Sequence, residues 1–470
     1  MTEPVGAIRS WLCASCMAMA SLQAAVQENP APTGKERLDV PDAAAVSAAE
    51  LKVREVFAAE YAARGAAPRR ELARKLLEAA RRTRDDAVTL YVLLREARAM
   101  AIEAGDIEIA WSAVEELAGR FALEDLVMRA ETLVALGKKL QGEAGFEAFL
   151  VRALPMLDSA IVQLDLETAK SLVQPAKSAA RRAQNPWLSY NLQAAEKRLE
   201  ALKSWRQELA RQGKQQLRIG RSTDETSAIG EFLCFELGAW KAGLPLLAQG
   251  NNPEFRKIAR EELSQPQAAV LQTALADLWW AVGEGNPRQE VRERSRERAR
   301  FWYACAMPEL SGVFKAAAEK RVAASSWNYL SELEERDVQV AYGDFWRAGV
   351  KTTKPGIERV FVNGIESVHG LYMHALAQGH ARVSYELQGR FRKMEAFVAL
   401  KDTAIKPVSA FTFVVEGDGN VLWKSAPITG RGKSQHCLAS VAGVRTLRLM
   451  VHCSGADTHA HAAWLEPVVR

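Results

Sequence analysis

"FTFVVEGDGNVLWKSAP", residues 411–427, is two apolar, β-branched or aromatic runs around Glu416–Asn420, "EGDGN". Asp-Gly between two such runs is a strong tight-turn signal, so the stretch predicts a β-hairpin. Similar short runs lie on either side: "ARVSYEL" (381–387), "MEAFVAL" (394–400), "QHCLASV" (435–441) and "TLRLMVH" (446–452). They are separated by turn residues and show no helical period. Strands at this spacing predict an antiparallel β-sandwich or jelly roll over residues 337–470. All seven histidines (His369, His374, His380, His436, His452, His459 and His461) lie in this part. Their crowding therefore marks a boundary between two kinds of domain.

Before that boundary the period is helical. In "GDIEIAWSAVEELAGRF", Ile107, Ala110, Trp111, Val114, Leu117, Ala118 and Phe121 form one stripe at 3.6-residue spacing. Asp106 suits an N-cap, and Gly105 suits the left-handed position that ends the preceding helix. That helix carries Leu90, Leu93, Leu94, Ala97 and Ala101, so the two make a helical hairpin. "LPMLDSAIVQLD" with "LETAKSLVQPAKSAARR" repeats the plan, followed by a long polar helix around 192–218. A second helical block begins near Ala228, with Asn251-Asn252-Pro253 and Asn286-Pro287 each placing proline where a helix should start. Trp240, Trp279, Trp280, Trp302 and Tyr303 fall on inward stripes. Stacked hairpins of this size resemble tetratricopeptide-type repeats, which implies a scaffold for protein partners.

The expected division is a signal peptide over 1–25, a disordered linker over 26–50, helical regions over 51–222 and 223–330, and the β-module over 337–470. The chain has 470 residues, 62 basic and 57 acidic, for a net charge of +5. That near-balance, with 48% hydrophobic and 25% charged residues, is an ordinary globular composition. The densest basic run, "RERSRERAR" (Arg292–Arg300), interleaves glutamates at helical pairing distance and reads as an ion-paired face, with no nucleic-acid module to support another role. Arg9 followed by an uncharged stretch from Trp11 to Leu22 resembles a secretory leader, too short to span a bilayer. No later segment reads as transmembrane, and export implies a secreted or periplasmic protein. Of six cysteines, Cys13 and Cys16 would leave with the leader; Cys234 and Cys305 read as core, and a Cys437–Cys453 bridge stays open.

Four stretches of the β-part resemble the NPCBM family, carbohydrate-binding modules appended to glycoside hydrolases and other secreted bacterial proteins. "HGLYMHA" (369–375) is similar to its G-x-x-x-H-A segment, with Gly370 and His374 in register. "SYELQGRFRKMEAFVALKD" (384–402) resembles its Y-x-L-x-G strand pair and following acid, here Asp402. "FVVEGDGNVLWKS" (413–425) resembles its G-D-G hairpin, and "VAGVRTLRLMVHCSGADTHAHAAW" (441–464) its closing H-A-x-W, with His461 and Trp464 in place. The resemblance implies a galactose-binding-like jelly roll and sugar binding. Ala460 and Ala463 stand where the family often carries aspartates.

A glycan site needs an aromatic face for the pyranose and fixed polar groups for its hydroxyls. Tyr372, Trp423 and Trp464 are candidates for the face; His374, His461, Asn363 and Asp418 for the polar contacts. Core packing is the competing reading of His374 and Trp464, and Asp-Gly turn chemistry that of Asp418. His452, Cys453, Asp457, His459 and His461 could be read as metal ligands, but their order matches no zinc spacing. No cofactor is expected, with a structural calcium ion as the one option. The histidine-free helical part cannot hold a Ser-His-Asp triad and carries no phosphate-cradling glycine loop. The expectation is a secreted, non-catalytic protein with a helical scaffold and a glycan-binding module. The alternative is an interaction or adhesion scaffold whose β-module is structural.

Overall fold

The computed structural model describes residues 37–213, 222–343, 345–347, 359–407 and 409–470. The expected leader, with Cys13 and Cys16, and part of the expected linker lie outside them. The described residues fall into two compact units, 37–184 with 188–213, and 185–187 with 222–470.

In the first unit consecutive helices pack in pairs: Ala66–Arg82 on Ala87–Ala104, the latter on Ile107–Arg120, and Gly142–Val162 on Leu166–Ala183. The hairpin junction forms as the sequence dictates. Gly105 has φ 68°, and the Asp106 carboxylate accepts from Ile109 N–H at 3.0 Å. A core of Leu72, Leu76, Leu93, Leu94, Leu117 and Phe121 closes the stripe. Trp111 stays half-buried and covers the arginines of Arg129 and Arg152 instead.

In the second unit the helices Trp240–Leu247, Pro253–Leu263, Ala269–Gly285, Gln289–Ala306 and Gly312–Ala323 surround Cys234, Phe235, Trp279, Trp302 and Tyr303. Trp240 and Trp280 are only partly buried. Pro253 opens its helix as expected, with the Asn252 side chain accepting from Glu254 and Phe255 N–H. Pro287 does not, because that helix begins two residues later at Gln289. The basic run is also more than a solvated face. Arg298 pairs with Glu262, which also accepts from the Trp279 indole at 2.6 Å, and Arg300 is buried against Glu332 at 3.2 Å.

The β-part begins at Asn328. Its strands are β1 (Asn328–Tyr329), β2 (Arg336–Gln339), β3 (Phe345–Arg347), β4 (Val360–Val362), β5 (Ile365–Ser367), β6 (Leu371–His374), β7 (His380–Glu386), β8 (Lys393–Leu400), β9 (Phe411–Gly417), β10 (Asn420–Lys424), β11 (Ser434–Ser440), β12 (Thr446–Cys453) and β13 (His461–Val469). One sheet runs β11-β8-β13-β6-β3 with β1 also on β13; the other runs β10-β9-β12-β7-β2. Every pairing in them is antiparallel. Alternate residues of both sheets, among them Leu371, Met373, Val398, Phe413, Leu449 and Trp464, meet in one core, so the two sheets form a sandwich. Cys234, Cys305, Cys437 and Cys453 are all buried free thiols, so the Cys437–Cys453 pair left open by the sequence is unbridged. Among the described residues no helix is long and apolar enough to cross a membrane.

Candidate functional site: an aromatic and imidazole face of the six-stranded sheet

Strand alternation sorts the candidates. On β6, Leu371 and Met373 point into the core, which sends Tyr372 and His374 to the opposite face. On β13, Ala462 and Trp464 point inward, leaving His461 and Ala463 outward. Cross-strand register then aligns His461 with His374, Ala463 with Tyr372, and Tyr372 with Trp346 of β3.

The result is a continuous cluster. The Trp346 ring stacks on Tyr372 at 4.2 Å and 29°. Lys401 Nζ lies 4.5 Å from the Tyr372 ring and 4.9 Å from the Trp346 ring, in the range of a cation–π contact. His374 and His461 are 5.5 Å apart between ring centroids. Tyr342, 76% exposed, brings its ring within 5.0 Å of His374. Thr403 Oγ1 and His461 Nδ1 are 2.7 Å apart, and Lys401 N–H donates to the His461 carbonyl, so the loop after β8 holds this imidazole. Tyr372, His374 and Lys401 form a buried floor, while Tyr342, Trp346, Thr403 and His461 reach the surface.

Asn363 sits beside this loop. With φ of 57° at Asn363 and 70° at Gly364, the two form the tight β4–β5 turn. Asp402 accepts from both of their N–H groups at 2.8 and 2.7 Å, and the Asn363 amide donates to Gly432 O at 2.8 Å. Its amide is thereby engaged in locking loops.

Trp464, Trp423 and Asp418 are not part of the cluster. Trp464 is fully enclosed between the sheets, edge-on to Phe413 at 5.3 Å, so its ring packs the core and offers no face to a sugar. Trp423 lies on β10 at the edge of the other sheet, partly buried against the core. Asp418 takes the turn role: φ is 49°, and its carboxylate accepts from Thr446 and Arg445 N–H. Those backbone donors hold its carboxyl below the usual aspartate range.

Sheet geometry also separates the histidine- and cysteine-rich tail. His452 lies on the outer face of the five-stranded sheet, Cys453 turns into the core with Sγ 3.4 Å from Gly455 O, and His461 belongs to the other sheet. His459 and His461 rings are 6.1 Å apart. No group of three or more His, Cys, Asp or Glu arranged to hold a metal ion occurs among the described residues. His369, on the motif shared with His374, stacks flat on Tyr329 at 3.5 Å; burial, with Arg300 nearby, lowers its pKa to about 3 and keeps it neutral.

Sequence reasoning missed Tyr342, Trp346, Lys401 and Thr403. "YGDFW" (342–346) is short and contains glycine, so it shows no strand period; its two outward aromatics beside the predicted boundary were the available signal.

The model of the NPCBM/NEW2 domain matches residues 327–470. No curated protein matches the chain. Solved structures similar to it include a CBM51 module of a Clostridium perfringens GH95 protein in complex with methyl-galactose, 24% identical over 31% of this chain and 99% of that one, TM-score 0.26. CBM51-2 and INT domains of Clostridium perfringens ZmpB, solved with GlcNAc, are 18% identical over 31% of each chain, TM-score 0.26. Tandem CBM51 modules of Sp3GH98, a family 98 glycoside hydrolase of Streptococcus pneumoniae, are 15% identical over 31% of this chain and 46% of that one, TM-score 0.27. The chain thus spans about a third of the ZmpB chain and under half of the Sp3GH98 chain. Residues 327–470 of this chain are an NPCBM/NEW2 domain.

Proposed function

We propose that the NPCBM/NEW2 domain binds a glycan on the outer face of β3, β6 and β13. The observation that carries this reading is the stacked Trp346–Tyr372 pair flanked by Tyr342, His374 and His461. A half-buried ring bounded by imidazole and hydroxyl groups matches what a pyranose presents, an apolar face ringed by hydroxyls. Around the domain we place an exported, non-catalytic protein whose helical regions serve as a scaffold for protein partners. The leader-like sequence of residues 1–25 supports the export, and the short connections between helices support the scaffold.

A glycan array probed with the full chain, with and without calcium, tests the proposal. Binding to a defined sugar class that is lost in Trp346→Ala supports it. An array with no signal, while the helical region captures a protein partner, favours the reading in which the β-module is structural. Hydrolysis of any array glycan would place catalysis in the chain and sink the non-catalytic part.

A further inference from the structure

The outer face of the five-stranded sheet carries a second pair of imidazoles, remote from the glycan cluster in the topology. His380 on β7 and His452 on β12 are direct antiparallel partners, and both point away from the core because Ala381, Val383, Val451 and Cys453 point into it. Their ring centroids are 4.7 Å apart with planes 35° from parallel. On the far side of His452 the partner residue is Thr412 of β9. His380 is exposed and His452 half-buried. The Nδ1 atom of His452 is buried and makes no hydrogen bond among the described residues. The nearest charge along the same face, Arg382, is already paired with Asp337 at 3.0 Å.

We propose that His380 and His452 form a two-imidazole site for a borderline divalent transition metal such as Zn2+, Ni2+ or Cu2+. Directly opposed residues on antiparallel strands have Cβ atoms about 4.5–5.5 Å apart. Two imidazoles rooted at that spacing can each place a nitrogen about 2.0–2.1 Å from one ion. Pairing on both edges of β12 holds its side of the site still, so little order has to be gained on binding. Neutral imidazole donors select zinc, nickel and copper and offer nothing to calcium or magnesium, which take oxygen ligands. Water completes the coordination on the exposed side.

The test is titration of the full chain with ZnCl2 or NiCl2 alone by calorimetry, comparing the parent with His380→Ala, His452→Ala and His436→Ala. His436 sits on β11 of the other sheet and serves as the control. Losing even a partner that orients a ligand costs metal affinity about 10–100-fold, so losing a ligand should cost at least tenfold. The expected result is one saturable site, weakened at least tenfold in each of the first two variants and unchanged in the third and by excess calcium. Cu2+ electron paramagnetic resonance of the parent should show two equivalent imidazole nitrogens. Isotherms of His380→Ala and His452→Ala that overlay the parent, or a copper spectrum with one nitrogen or none, overturn the proposal. His380→Gln and His452→Gln, which keep a polar side chain on the same surface, separate ligand loss from misfolding: weakened binding by folded protein supports the site, and retained binding refutes it.

Discussion

Replacing Trp464 distinguishes a core residue from a binding platform, because the first role predicts a loss of stability and the second a loss of binding with the fold intact. The indole is fully enclosed, and a buried Trp removes about 150–250 Å² from water. At about 25 cal/mol per Å² that area corresponds to about 4–6 kcal/mol, an upper bound because the unfolded chain already hides part of it. Trp464→Ala also opens a cavity beside Phe413, and comparable core truncations cost about 3–5 kcal/mol, which we take as the prediction. Trp464→Phe should behave differently. The indole N–H finds no acceptor among the described residues, and an unmet buried donor costs about 1–3 kcal/mol. Phe loses ring area but removes that donor, so the net change should stay within about 1 kcal/mol. Hydrogen exchange read by mass spectrometry in rising urea, followed on peptides from β9, β12 and β13, isolates this domain from the helical unit. If Trp464→Ala leaves exchange of those peptides unchanged while both variants lose glycan binding, the ring faces a ligand and the assignment to the core is wrong.

Three other outcomes follow from the packing. Glu332→Ala strands the buried Arg300 guanidinium and should destabilise the second unit by about 3–5 kcal/mol in urea unfolding, whereas Arg300→Met with Glu332→Leu should recover most of it. Asp418, whose carboxyl is held low by Thr446 and Arg445 N–H, contributes stability that is full above the ordinary aspartate range near about pH 4. That contribution disappears as pH falls through the lower folded value, so thermal midpoints between pH 6 and pH 2 should drop more in the parent than in Asp418→Asn. Burial pushes the Cys305 and Cys437 thiols up to about 12, so these two thiols in native protein at pH 8 should resist a thiol-specific reagent, read by peptide mass spectrometry, until urea unfolds the chain.

The sequence and the structure agree most closely where local chemistry decides the backbone. The Asp418-Gly419 turn, the Asp106 cap, the left-handed Gly105 and the strands around 381–387, 394–400, 411–417 and 446–452 all follow from short-range preferences. The strands that escaped notice are β1 through β6, two to four residues long and too brief for a period of two to register, and β13, whose nine residues are buried nearly throughout and so show no alternation. Site residues are harder to read because they depend on which face a strand turns outward. One position of register separates His461, on the cluster, from Ala462, in the core, and Trp464 falls on the inward side. Trp346 joins Tyr372 only because β3 pairs with β6 at the sheet edge, a non-local fact. The ion pairing of the basic run is likewise non-local, since Glu262 and Glu332 lie far from Arg298 and Arg300 along the chain.

The central claim is that a sugar ring packs on the aromatic face of β3 and β6. Its most direct measurement is calorimetric affinity of the full chain for its best array glycan, in the parent and in Trp346→Ala. An aromatic anchor at the centre of a small interface is worth about 2 kcal/mol or more, close to a thirtyfold loss of affinity. We predict that loss in a variant that keeps its fold by circular dichroism, because Trp346 lies on the outer face and not in the core between the sheets. Unaltered affinity in a folded Trp346→Ala protein would contradict the account.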